Sequence, residues 1–308
     1  MSPLREALDD YLRLRRQLGF ELEDAGRQLR GFVDFLERAG APRITSELAV
    51  AWATLPADAR PFTWRQRLGR VRQFARYVAT IDTDTEVPAR DLLPARLQRV
   101  APYIYTQAEI MALMTAARGL TPPLRAATSE TLIGLLASTG LRLGEALGLD
   151  RHDVDLKDGV LQIRVAKRHK QREVPMHATT TAALRDYARR RDQVLPAPDA
   201  PAFFLNTRGR RMRQGTVHEL FRRLIGEVGL EGRGQRARPR PHDLRHAFAV
   251  RTLLDWHRAG TQVERDLPVL STFLGHTNPR DTYWYLQAVP ELLELVGHRL
   301  DGALKDTP

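Results

Sequence analysis

The chain has no cysteine, so disulfides and thiolate metal sites are excluded. It has no run of about 18 apolar residues, which argues against a membrane-spanning helix. Its opening stretch, Met1-Ser2-Pro3-Leu4-Arg5-Glu6, lacks an apolar signal core, which argues against secretion. Acidic residues are in deficit. Lys and Arg number 48 against 37 Asp and Glu, a formal net charge of +11. That excess does not set a fold, but it favours an anionic partner such as nucleic acid or an acidic membrane surface. The 308 residues are comfortable for two domains, and the 43% apolar content is enough to build their cores. These bounds point to a cytoplasmic protein with a polyanionic partner.

Residues 4–81 read as helical. Leu8, Tyr11, Leu12 and Leu18, then Leu29, Phe32, Val33 and Leu36, recur at three- and four-residue steps. Pro42, Pro56 and Pro61 punctuate them. A helix over about 62–81 carries an apolar stripe from Trp64 to Val78. Arg65, Arg72 and Arg76 fall on another face, with Arg67 and Arg70 beside them. From Arg60 to Arg76 there are six arginines and no acid. Such a run is either a solvated face or a helix that tracks phosphates. Residues 83–103, with Pro88, Pro94 and Pro102, read as a linker. Thr106-Gln107-Ala108-Glu109 has the form of a capping box that opens a helix. The rest reads as mainly helical with a small insertion of three antiparallel strands at 154–156, 160–165 and 172–175. Helices are expected at about 177–191, 214–228, 242–258, 265–274, 279–287 and 289–299. Arg208 to Arg240 holds ten arginines against three glutamates, and its 233–240 stretch reads as a phosphate-facing loop.

Four segments carry chemistry. In Thr139-Gly140-Leu141-Arg142-Leu143-Gly144-Glu145 a helix ends near Gly140, which leaves Arg142 on a constrained bend. A guanidinium held there could present its planar fork to a pair of phosphate oxygens, with Glu145 orienting it; the alternative is an ordinary surface arginine beside a helix cap. In Arg164–Arg172 five of nine residues are basic and none is acidic. A lysine on such a turn could protonate a leaving oxygen, although hairpin tips are also charged simply for solubility. In His242-Asp243-Leu244-Arg245-His246, His242 and Arg245 share a helix face. Zinc hydrolases place histidines at this i, i+4 spacing, but with a glutamate after the first; Asp243 and the nearby Arg245 cation speak against that metal here. In Leu274-Gly275-His276 with Tyr283-Trp284-Tyr285, the tyrosines are two apart on a helix and point in different directions, so one packs. Tyr285, nine residues after His276, is preferred as an exposed nucleophile. Its phenol, with an ordinary pKa of about 10, needs surrounding cations and a proton acceptor.

Together these segments resemble the tyrosine recombinase (integrase) family over residues 104–300. Thr139–Glu145 looks like the first arginine box, and His242-Asp243-Leu244-Arg245-His246-Ala247-Phe248-Ala249 looks like the His-x-x-Arg box. His276 and Tyr285 look like the histidine and the nucleophile, and Lys167 matches the hairpin lysine, with Lys170 as the alternative. The resemblance implies a mainly helical fold with a small three-stranded antiparallel sheet. It implies a helical core-binding domain at 1–82, a linker at 83–103, a catalytic domain at 104–300 and a tail at 301–308. Arg142, Arg245, His242 and His276 would cradle the scissile phosphate of double-stranded DNA. Tyr285 would attack to give a 3′-phosphotyrosine, Lys167 would be the acid, and His242 would accept the tyrosine proton. No cofactor, metal or ATP is implied. Arg65, Arg67, Arg72, Arg76, Arg168 and Lys170 are the expected DNA contacts. The helix at 289–299 would dock on a neighbour in a homo- or hetero-tetramer assembled on DNA, with no membrane, in the cytoplasm at the nucleoid. A type IB topoisomerase and a catalytically silent DNA-binding regulator are the competing readings.

Overall fold

The computed structural model describes residues 2–20, 22–93, 102–164, 171–198, 200–232, 238–261, 263–276, 278 and 280–288. They form two compact units, one within residues 1–99 and one within residues 100–308. Lys167, Arg168 and Lys170, the expected helix at 289–299, the tail at 301–308 and much of the 233–240 loop lie outside the described residues.

The first unit contains α1 (Pro3–Gln17), α2 (Glu23–Arg38), α3 (Ser46–Thr54) and α4 (Pro61–Val78). Proline stands in the first turn of α1 and of α4, where its missing N–H costs nothing. The Ser2 hydroxyl accepts from the Arg5 N–H at the start of α1, and Thr45 accepts from the Leu48 N–H at the start of α3. The apolar stripes meet in one core. Leu8, Leu12, Phe32, Val33, Leu36, Leu68, Val71 and Phe74 are all buried, and Phe32 meets Trp52 edge-on at 5.3 Å. Each such side chain, fully buried, contributes roughly 1.5–3 kcal/mol.

Two of the arginines expected to face DNA also make contacts inside this unit. Arg67 lies 3.8 Å over the Trp52 ring and donates to the Trp52 carbonyl. Arg72 donates to the carbonyls of Pro88 and Ala89, fastening the chain after α4. Both stand on the border of the apolar stripe, where a long side chain gains more by covering carbonyls and an aromatic face than by extending into water. Arg76 is exposed and Arg65 is half-buried.

The second unit opens with α5 (Gln107–Arg118), α6 (Pro123–Thr139) and α7 (Leu143–Gly148). The capping box at the start of α5 is complete: Thr106 accepts from the Glu109 N–H, and Glu109 accepts from the Thr106 N–H. Helix α6 is buried along most of its length, with Leu132, Ile133, Leu135 and Leu136 in the core. Strands β1 (Val154–Asp155), β2 (Val160–Arg164) and β3 (Gln171–Pro175) form an antiparallel sheet in the order β1-β2-β3. Leu161 faces Val174, and Ile163 faces Arg172. Helices α8 (Ala178–Val194), α9 (Gln214–Glu227), α10 (Asp243–Arg258), α11 (Val263–Leu274) and α12 (Arg280–Ala288) follow. The chain is thus mainly helical with one small three-stranded antiparallel sheet, as its sequence leads one to expect. Helices α10, α11 and α12 enclose a separate cluster built from Val250, Leu253, Leu267, Leu270, Leu274 and Tyr285. Among the described residues, no helix is long and apolar enough to cross a membrane.

Candidate active site

The site is assembled where two helix ends meet. Helix α6 stops at Gly140, whose φ of +62° is readily adopted only by glycine. Any side chain there would also strike the Phe248 ring, 2.6 Å from the position of a Cβ. The bend places Arg142 at the start of α7. Helix α11 stops at Gly275, with φ of +67°, and this turn carries His276. A Cβ on Gly275 would lie 2.7 Å from the Arg172 guanidinium.

Both arginines predicted to grip phosphate converge on the second turn. Arg142 donates to the Gly275 carbonyl at 3.0 Å and to Glu145 at 2.8 Å. Arg245, on α10 and only 2% exposed, donates to the Gly140 carbonyl at 2.8 Å and to the Leu274 carbonyl at 2.7 Å. It therefore ties the two turns together. Among the described residues no carboxylate is bonded to it. Burial, reinforced by the charge of Arg142, lowers its pKa to about 10. A buried cation that meets carbonyls and the neutral Tyr285 phenol leaves positive potential for an anion to neutralise.

Glu145 holds the cradle from beneath. It accepts from the Arg142 N–H at 2.9 Å and from both terminal nitrogens of Arg172 at 3.0 and 2.8 Å. Burial pushes its carboxyl up, but Arg172 and then Arg142 more than offset this and hold it below the usual carboxylate range. Arg172 also donates to the Phe273 carbonyl at 3.0 Å. It links β3, the α7 carboxylate and the end of α11. Sequence reasoning passed over Arg172. The available signal is its position two residues before Val174, on the covered face of β3, where a charged side chain must have partners.

Three imidazoles line the same region. His276 shares a 2.6 Å hydrogen bond through Nδ1 with the Thr282 hydroxyl, which fixes its ring. Burial, followed by Arg245 and Arg142, lowers its pKa to about 4. His242 is lowered to about 4 by burial and by the charges of Arg245, Arg240 and Arg142. His246, with 13% of its side chain exposed, is lowered to about 3 by burial, His242 and the nearby arginines. All three are neutral at pH 7.

Tyr285 is not exposed, contrary to the expectation from sequence. It is 2% exposed, whereas Tyr283 is 48% exposed. Tyr285 packs into the α10–α12 cluster because residue 285 is on the face of α12 turned to α10, and two positions earlier the helix points outward. Its hydroxyl nevertheless stays within the cationic site. Burial raises its pKa, while Arg245 and Arg142 oppose that rise. The hydroxyl lies 3.0 Å from Nδ1 of His246, and not of His242, the acceptor expected from sequence. Arg142, Arg245, His242, His276 and Tyr285 are thus drawn to one region, with Glu145 behind them.

Among the described residues, one group of three could offer ligands to a metal: Asp150, His152 and Asp153. Asp150 is paired with Arg211, and Asp153 with Arg164 at 2.8 Å, so this group is an ion-pair network.

Comparison with known proteins fits this geometry. The model of the phage integrase family matches residues 104–291. The protein y4rB of Sinorhizobium fredii, named for an integrase/recombinase, is 45% identical over 99% of both chains. The tyrosine recombinase XerC of Chlamydia trachomatis is 31% identical over 72% of this chain and 66% of its own. The fold is shared with a lambda integrase tetramer bound to a Holliday junction, at a TM-score of 0.63 and 18% identity over 92% of this chain and 76% of that one. The chain belongs to the phage integrase family of tyrosine recombinases, enzymes that cleave and rejoin DNA.

Proposed function

We propose that the chain is a site-specific recombinase that breaks and rejoins duplex DNA through a covalent link to Tyr285, in the integration, excision or transposition of a mobile element. The observation that carries this reading is the pair Arg142 and Arg245, both held on the Leu274-Gly275 turn, with the Tyr285 hydroxyl beside Arg245. A phosphodiester drawn between these guanidiniums would have its non-bridging oxygens neutralised and its phosphorus open to the phenol. His276, fixed by Thr282, would donate a further hydrogen bond through its other ring nitrogen. The attack forms the Tyr285 O–P bond and breaks the bond from phosphorus to the 5′ oxygen, which takes a proton from the hairpin lysine, Lys167 or Lys170. The 3′-phosphotyrosine keeps the energy of the broken ester, so a 5′-hydroxyl from a second duplex reverses the step without ATP. Fixed cations supply the charge stabilisation that a metal provides elsewhere.

The helical unit within residues 1–99 would act as the core-binding domain, with Arg65 and Arg76 on phosphates. The unit within 100–308 would be the catalytic domain. Four copies, alike or paired with a related recombinase, would assemble on DNA, with the segment at 289–299 of each docking on its neighbour. Support for assembly comes from the lambda integrase tetramer, and support for an integrative role from the name of the S. fredii relative.

The test is to express the chain in bacteria, denature the cells rapidly and sequence the DNA that remains attached to it. A nicked duplex carrying the recovered site should then form a covalent adduct with the wild type and with Tyr283→Phe, and none with Tyr285→Phe. An adduct that survives in Tyr285→Phe and disappears in Tyr283→Phe would move the nucleophile. No adduct in any form would leave a DNA-binding regulator.

A further inference from the structure

The His246 ring stands within hydrogen-bond reach of the nucleophile, and neither the sequence motifs nor the proposed phosphate cradle gives it a task. It is one helical turn from His242 on α10 and meets the Tyr285 hydroxyl itself, whereas His276 meets α12 through the Thr282 hydroxyl and lies over the Tyr285 ring at 6.2 Å. Nδ1 of His246 is 3.0 Å from the Tyr285 hydroxyl. The His242 ring meets His246 edge-on at 4.8 Å, and Nδ1 of His276 is engaged by Thr282. Trp284 closes another side of the His246 ring at 5.7 Å. Below it lies Asp243, fully buried and held by the Arg240 N–H and guanidinium, with one carboxylate oxygen 4.0 Å from Nε2 of His246.

We propose that His246 is a catalytic residue that accepts the phenolic proton of Tyr285 on Nδ1 as the tyrosine oxygen bonds to phosphorus. The proposal rests on Tyr285 being the nucleophile. As the new O–P bond forms, the Tyr285 O–H bond breaks and its proton passes to Nδ1. The electron pair of the P–O5′ bond leaves with the 5′ oxygen, which is protonated by its own donor. In the reverse step the imidazolium returns the proton to the departing phenol. To take that proton Nδ1 must be the unprotonated nitrogen, which requires the ring to carry its proton on Nε2, the nitrogen turned to Asp243. The buried carboxylate favours that tautomer and stabilises the imidazolium that forms.

A weakly basic imidazole suffices for this task. The resting phenol is a poor acid, but a phenol oxygen already bonding to phosphorus is a strong one, so the transfer becomes favourable during the attack. The phosphodiester helps, because its negative charge offsets Arg240 and Arg245, two of the cations that keep His246 neutral in the free protein.

The experiment uses the full chain and the nicked duplex recovered by adduct trapping. His246→Asn keeps a side chain that can hold the phenol but cannot take its proton. It should bind the duplex within about twofold of wild type and form adduct about 100-fold more slowly, the scale of general base catalysis. Replacing Tyr285 in this variant by a fluorinated tyrosine, whose phenol is more acidic, should recover at least about tenfold of that loss. The same replacement in the His246 protein should change the rate far less. Wild-type rates in His246→Asn, or a loss that fluorination does not recover, would overturn the proposal. If His246→Asn does not fold, ¹⁵N spectra of histidine-labelled wild type decide: Nε2–H at His246 is expected, and Nδ1–H would overturn it. Adduct formation by Tyr285→Phe would instead remove the nucleophile assignment beneath it.

Discussion

Arg245 spends its donors on the carbonyls of Gly140 and Leu274, so it shapes the site as well as charging it. Lysine cannot span both oxygens, because its ammonium is a point and not a fork. Arg245→Lys should therefore lose adduct formation by at least about 100-fold. Each carbonyl left unpaired should cost about 1–3 kcal/mol of stability. Adduct kinetics and urea denaturation together check this; near-normal rates would contradict the bridging role. Gly275→Ala should be equally telling. It forces a side chain into a left-handed turn, at about 1–3 kcal/mol, and drives a methyl into the Arg172 guanidinium. The expected outcome is a lowered melting temperature with adduct formation reduced more than DNA binding. An unaffected variant would mean that the turn is more compliant than its contacts suggest.

At the scale of elements, the site depends, besides α10, on three that are distant in sequence: the α6–α7 bend, strand β3 and the α11–α12 turn. Arg172 joins them, and the pair it makes with Glu145 is largely shielded, with 12% and 10% of the two side chains exposed. Arg172→Ala should cost about 3–5 kcal/mol, because the Glu145 carboxylate is left buried and underpaired. It should also slow cleavage without altering the tyrosine's identity; a cost under about 1 kcal/mol by urea denaturation would show the pair to be incidental. The elements themselves were legible. Three- and four-residue apolar steps marked α1 and α2, and the strands expected at 154–156 and 160–165 stand as the β1–β2 pair. The spacing of Arg142, Arg245, His276 and Tyr285 marked the site because each motif is local. What sequence could not supply is contact across elements. Periodicity says which residues share a face, not what that face meets. Hence Arg172 was missed, Tyr285 was expected to be exposed, and the contacts of Arg67 with Trp52 and of Arg72 with the Pro88–Ala89 backbone were not foreseen.

Over the whole molecule, net charge and buried imidazoles set the response to salt and pH. With a formal charge of +11, DNA affinity should fall linearly on a log–log plot against salt, with a slope of about −0.9 per phosphate contacted. His246 and His276 have pKa values of about 3 and 4 in the folded chain, against about 6.5 unfolded. Below about pH 6.5 the unfolded chain takes up protons that the folded chain refuses, so stability is complete above that pH and is lost as pH falls towards 4. His246 alone should contribute up to about 1.4 kcal/mol per pH unit in that window. Asp243, whose carboxyl is pushed up by burial, works in the opposite direction. Urea midpoints should therefore fall between pH 7 and pH 5, and a rise would contradict neutral, buried imidazoles. On the proposed function, Tyr285 bonds to DNA from within the Arg142–Arg245 cradle. Mass spectrometry of the peptide that stays attached to nucleotide after nuclease and protease digestion tests it most directly. The mass of a phosphonucleotide on Tyr285, lost in Arg142→Ala and Arg245→Ala, is predicted; the same mass on Tyr283 or any other residue would contradict the account.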